Sequence, residues 1–430
     1  MFRKLILVLV ILGMGTNTAC SLFAYDSGSV ESPSQQTTIT APVATNEVVN
    51  ENPVASGPIV LRVWIPPQFG LDANVEAAAL FQNKVQTFHD THPGIRVELR
   101  VKAVSGAGGL LDSLAATQAA VPDALPDLIA LSRQDLEEAA IKGLVYPFPS
   151  LSPNQNDEDW YDFAQSLARM DDTIYGIPFA ADVLTTIYRP SIITDTLPLT
   201  WSTALSATVP ILFAAGSPEA VVPLAMYQST GGALTDAEGR PTMDLDKLLP
   251  LFEFYNIGNG LGVFPSAVTR FSTEAEVYQA YVAGDVNVAL TWMSYHLQNP
   301  GTDTAIIPIP TPEAEFALAG GWMWAMGNSN HEKQALAVEL AHHLTESDYL
   351  GKWTRAVGYL PPRPSSLAAW PQTSESSQIS RAVLNAVVPP AVDVTATLKP
   401  ILHKATLDIL LRAVTPLEAI ESVRLRLGLP

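Results

Sequence analysis

The chain has 430 residues, 47% of them hydrophobic and 16% charged, which is ample material for large cores and excludes wholesale disorder. A formal net charge of −19 and a pI near 4.7 argue against a nucleic-acid partner, because phosphate binding needs clustered cations. One cysteine, Cys20, excludes an intrachain disulfide, so stability rests on burial.

The chain opens on Arg3 and Lys4, an unbroken apolar run from Leu5 to Leu12, and a small-residue stretch ending in Ala19-Cys20. This pattern predicts a secretion signal over residues 1–20. The run is too short to span a membrane, which takes about 20 apolar residues. Cys20 resembles the lipid-accepting residue of a bacterial lipoprotein signal, although Asn17 stands where such signals carry an aliphatic residue; ordinary cleavage is the competing reading. Residues 21–58 are rich in Ser, Thr, Pro, Gln, Asn and Val and lack Lys and Arg. They bury too little apolar surface to offset ordering entropy and are predicted to form a disordered tether.

About 370 residues remain, a length that favours two domains over one. Val60–Ile65 is an apolar strand stopped by Pro66-Pro67, and Ala77, Leu80, Phe81, Val85 and Phe88 then fall at helical spacing before His92-Pro93-Gly94. Residues 95–102 alternate apolar and charged side chains, the mark of a strand with one buried face. A helix around Leu110–Ala115, a strand at Asp127–Leu131 and a helix at Asp135–Lys142 closed by Gly143 follow. Strands are predicted at Val209–Phe213 and Asn287–Trp292, and helices at Leu245–Tyr255, Glu274–Tyr281 and His331–Thr345. The last helix carries a capping box in Thr415-Pro416-Leu417-Glu418 and ends at Gly428. Strand and helix alternating at this pitch predict an α/β fold with mostly parallel sheets.

Several ordered fragments carry a resemblance. They are Phe88-His89-Asp90-Thr91-His92-Pro93-Gly94-Ile95, Leu125-Pro126-Asp127-Leu128-Ile129, Asp172-Thr173-Ile174-Tyr175-Gly176-Ile177-Pro178-Phe179 leading to Asp182, Pro198-Leu199-Thr200-Trp201, Pro308-Ile309-Pro310, Gly320-Gly321-Trp322 and Gly358-Tyr359-Leu360-Pro361-Pro362-Arg363. In order and spacing they resemble the extracellular solute-binding proteins of ABC importers, in the branch with maltodextrin- and other sugar-binding proteins. One departure is Asp285, where the family often has a basic residue. The resemblance implies a periplasmic-binding-protein-like fold, two α/β lobes joined by hinge segments with the ligand in the cleft. It implies chain crossings near Asp182, Ile306–Thr311 and Thr345–Asp348, hence lobe 1 from 59–181 plus 311–345 and lobe 2 from 182–310 plus 346–430. The implied function is capture of a solute, a sugar or oligosaccharide, by hinge closure and its delivery to ABC permease transmembrane subunits. The protein is then expected to be a monomer, exported, held at the membrane by a lipid on Cys20, and without cofactor or metal.

A sugar site needs aromatic faces for C–H patches and carboxylates, amides or Arg for hydroxyls. Trp64 and Trp292 close predicted strands, and Trp322 follows two glycines that admit close backbone approach; open α/β sheets bind ligands at strand ends. For Trp64, core and ligand platform stand level. Asp182 is the leading polar candidate, with a hinge cap or salt bridge as its alternative. Ser132 and Arg133 follow the Asp127–Leu131 strand, Gln68 lies past the Pro66-Pro67 break, and Glu219 and Arg363 are candidates by resemblance of position alone. A secreted glycoside hydrolase is the rival class, but no recognisable carboxylate pair, Gly-x-Ser-x-Gly elbow or His-Glu-x-x-His motif is present. A lipid-tethered scaffold or adhesion protein is the third.

Overall fold

The computed structural model describes residues 58–153, 158–194, 197–313 and 315–429. The signal, the tether and Cys20 lie outside the described residues. Among the described residues eleven strands occur in order: β1 (Ile59–Ile65), β2 (Ile95–Val101), β3 (Leu128–Ser132), β4 (Arg169–Met170), β5 (Thr173–Ile174), β6 (Gly176–Tyr188), β7 (Ile211–Leu212), β8 (Val288–Trp292), β9 (Ala305–Ile307), β10 (Ala317–Met326) and β11 (Ala386–Val387). All but the β4–β5 hairpin belong to one nine-stranded sheet whose main path runs β2-β1-β3-β10-β6-β8-β7.

The sheet is parallel at both ends, where β1 pairs with β2 and β3, and β7 with β8. Those are the βαβ units that alternating strands and helices predict. The middle is antiparallel, because β6 and β10 run against each other and against their outer neighbours. β6 is the long connector. Its first part, Gly176–Val183, pairs with β10, and from Leu184 onward it pairs with β8 and β9. The change of partner falls at Asp182–Leu184. β6 is buried over twelve consecutive residues, so it carries no alternation.

Local chemistry sets the helix ends. Asn74 accepts from the Ala77 amide to start Val75–Thr91, Ser132 accepts from the Asp135 amide to start Arg133–Ile141, and Thr415 with Glu418 forms the capping box of Pro416–Leu427. Gly143 and Gly428 take φ of 66° and 63° as predicted for helix stops. The Ser347–Val357 helix packs against Val75–Thr91, with Lys84 Nζ 2.6 Å from Glu346 Oε2, so this segment sits beside the β1–β3 end of the sheet. No helix among the described residues is long and apolar enough to cross a membrane.

Candidate functional site

A cleft of about 650 Å³ opens where β6 and β10 join the two ends of the sheet. Its floor is the Gly320-Gly321-Trp322 stretch of β10. Gly320 pairs with Asp182, and a Cβ on Gly320 would lie 3.4 Å from the Trp292 ring, so the missing side chain lets the indole lie along the strand. Between Trp322 and Met323 the pairing slips past Phe179 of β6. This bulge coincides with a change of environment along β10: Trp322 is partly exposed in the cleft, while Trp324 is buried and stacks on Phe179 with centroids 4.3 Å apart. Phe69 supports the floor from below, edge-on to Trp322 at 5.5 Å and in contact with Phe179, Trp353 and Tyr359. Such interlocked rings hold a platform in place.

The structure brings seven of the sequence-predicted residues to this cleft: Gln68, Ser132, Arg133, Asp182, Glu219, Trp292 and Trp322. Several also have structural duties. Ser132 Oγ accepts from the Asp135 amide at 3.2 Å and donates to Asp135 Oδ2 at 2.8 Å. Arg133 Nη1 donates to the carbonyls of Ser166, Leu167 and Arg169 at 3.0, 2.8 and 2.6 Å, and its Nε lies 3.5 Å from Glu137 Oε2. Much of that guanidinium therefore staples the Ser166–Arg169 turn. Glu219 pairs with Lys399 at 2.7 Å.

Asp182 is 8% exposed, and its Oδ1 accepts from the amides of Val183 and Ser294 at 2.9 and 3.0 Å. It thus caps the Met293–Gln298 segment, the alternative role weighed for it, while still lining the cleft. Burial raises its carboxyl to about 7, against the lowering effect of the Ser294 and Val183 hydrogen bonds. No described cation pairs with it.

Trp64 and Arg363 are not brought to the cleft. Trp64 is 2% exposed in the middle of the β2-β1-β3 ladder, with Lys102 Nζ 4.8 Å from its ring centroid; β1 runs on to Ile65, so the indole is core rather than a strand-end platform. Arg363 is buried elsewhere. Its Nη1 is 3.4 Å from Asp159 Oδ2 and its guanidinium sits 4.0 Å over the Trp160 ring, an arrangement that fixes loops rather than a ligand. Sequence reasoning missed Glu274, Tyr295, Tyr359 and Lys399, all of which line the cleft. Tyr359 followed directly from Gly358 in a quoted fragment; the other three carry no local signal that separates them from solvated helix residues.

Residues 84–380 match the family model described as bacterial extracellular solute-binding protein. The chain belongs to that family.

As a solute-binding protein it shares its fold with solved structures of low identity. A cyclic α-maltosyl-1,6-maltose binding protein from Arthrobacter globiformis is similar with a TM-score of 0.71 at 16% identity, covering 86% of this chain and 98% of that one. The sugar-binding protein MalE from Xanthomonas citri gives 0.67 at 18%, over 86% and 96%, and maltose-bound T. maritima MalE3 gives 0.66 at 18%, over 86% and 99%. No curated protein matches the sequence significantly. At these identities the likeness concerns the fold. The solute-binding protein's cleft sits where its two long connecting strands meet.

Proposed function

We propose that this solute-binding protein is the substrate-binding component of an ABC-type importer, that its solute is a sugar or oligosaccharide, and that it acts by closing two lobes on that solute and presenting the closed form to a membrane permease. One observation carries the sugar reading: Trp292 and Trp322, both partly exposed, flank Gly320 in a cleft that also holds the carboxylates of Asp182, Glu219 and Glu274. Flat faces beside acceptors match the alternating C–H patches and hydroxyls of a pyranose. Hinge closure is supported by the partner change of β6 at Asp182–Leu184, a natural bending point between two sheet ends. We assign the first crossing there and the second between β9 and β10; the packing of Ser347–Val357 on Val75–Thr91 favours a third crossing after that helix, later than Thr345–Asp348. We read the protein as a single-chain binder without turnover.

A panel of sugars is expected to contain one that raises the melting temperature by mass action, worth about 2.7 kcal/mol at a hundredfold excess over its dissociation constant. The same sugar is expected to shrink the radius of gyration in solution scattering. Superimposable scattering curves together with no thermal shift across the panel would end this reading.

Export with lipidation at Cys20 is the second part of the proposal, supported by the cationic start, the apolar run and the lone cysteine after Ala19. Cys20→Ser is expected to move the protein from the membrane fraction to the soluble exported fraction. Retention unchanged by the substitution would show that the anchor lies elsewhere.

A further inference from the structure

We propose that the solute carries a protonated amine and that Glu274 receives it. The inference rests on the reading of this cleft as the solute site. Glu274 is the first residue of the Glu274–Ala283 helix, and its backbone is fastened to β8 by Thr291 Oγ1, which donates to the Glu274 carbonyl at 3.0 Å. The side chain is 8% exposed, yet it lines the cleft, and its Oε1 has no hydrogen-bond partner. A buried acceptor left in that state costs free energy that an incoming donor recovers.

The charges around it decide which donor. Two cations line the cleft, Arg133 and Lys399. Arg133 lies against Glu137, whose other oxygen accepts from the Val392 amide at 2.9 Å, and Lys399 is held by Glu219. Asp182 and Glu274 remain without a cation, and both add to the burial that raises the Tyr295 hydroxyl, so the two carboxyls and this ring share one part of the cleft. Burial first, and then the Glu219 carboxylate, push Glu274 above the usual carboxylate range, against the hydrogen bond from its own backbone amide. A sugar hydroxyl satisfies Oε1 but brings no cation to the carboxyl. An ammonium group satisfies both at once through a charge-assisted hydrogen bond, and the faces of Trp292, Trp322 and Tyr295 add favourable cation–π surroundings. An anionic solute meets the same carboxylates as repulsion.

The test is titration calorimetry at neutral pH with three probes: maltotriose, the glucosamine trisaccharide, and spermidine as an amine with no sugar ring. The aminated trisaccharide is expected to bind tighter than maltotriose by about tenfold or more, with an advantage that shrinks as salt is raised. In Glu274→Gln, which keeps the shape but not the charge, that advantage is expected to vanish. Equal binding of the two trisaccharides by the unaltered protein, or an advantage that survives Glu274→Gln, overturns the amine inference and leaves the sugar reading standing. Binding of spermidine with neither trisaccharide retained supports the amine inference and overturns the sugar reading. Failure of all three probes overturns both. The salt dependence of the unaltered protein decides the matter even if the variant does not fold.

Discussion

Trp292→Ala is expected to erase the sugar-induced rise in melting temperature while leaving the melting point without sugar close to that of the parent. The indole ends β8, is partly exposed, and lies where a Cβ on Gly320 of β10 would touch it. One side of the ring therefore faces the open cleft rather than protein. Central aromatic anchors of this kind cost about 2–4 kcal/mol of binding when truncated, a loss of roughly thirtyfold to a thousandfold in affinity. The backbone duty survives the change, because Trp292 precedes the Met293–Gln298 helix without making a side-chain cap. Trp324→Ala is the matched comparison. That ring is 3% exposed and stacked on Phe179, so its removal is expected to cost about 3–5 kcal/mol of stability whether or not sugar is present. If Trp292→Ala melts as early as Trp324→Ala, the indole at 292 is core and the platform assignment fails.

The contrast between these two tryptophans shows what the sequence could reveal. Both sit beside strands in a stretch rich in Gly and Ala, and strand alternation alone puts Trp322 and Trp324 on one face. What separates Trp322 from Trp324 is that Phe179 of β6 stacks on Trp324 alone, a contact that depends on how β6 meets β10 across more than a hundred residues of chain. Short-range signals were legible: the caps at Ser132, Thr415 and Gly428 act over a few residues, and alternation marked β2 as a strand, although only Ile95 of it is buried and Val101 is exposed. β6 was legible only through the family resemblance, since burial on both faces removes its period and Pro178 masks its start. The Val392–Leu410 helix was obscured by Pro389, Pro390 and an interior Pro400. The same long-range dependence hid Glu274 and misplaced Arg363. Glu274 reads as a solvated helix-start acid until its helix is laid on β8, and Arg363 reads as a cleft cation until Asp159 and Trp160 are folded onto it.

Asp182→Asn is expected to stabilise the protein at neutral pH, with a gain that disappears in acid. In the folded chain burial holds the Asp182 carboxyl near 7, while in the unfolded chain it titrates near the ordinary value of about 3.9. Below pH 4 both states carry the proton and the residue contributes no difference. Between about 4 and 7 the native state keeps a proton that the unfolded state releases, so stability falls as pH rises, at up to about 1.4 kcal/mol per pH unit. Above 7 the cost is fully present, on the order of 4 kcal/mol. Asparagine keeps an acceptor for the Val183 and Ser294 amides and never charges, so it escapes this cost. The difference in unfolding free energy between variant and parent, followed by denaturant titration, should therefore start near zero at about pH 4, widen towards pH 7 and level off beyond it. Groups common to both proteins cancel in that difference. Asp182→Ala escapes the cost of the charge too but orphans both amides, about 1–3 kcal/mol each, so it should be destabilised below pH 4 and close the gap on the parent as pH rises through 7. A difference between Asp182→Asn and the parent that stays flat from pH 4 to 8 would mean that the carboxylate is already ionised in the fold, paired with a cation or water that compensates it. The pH-linked cost has a functional counterpart: a solute that brings a cation to this wall lowers the Asp182 carboxyl, so its binding should release protons near neutral pH and tighten as pH rises through 7.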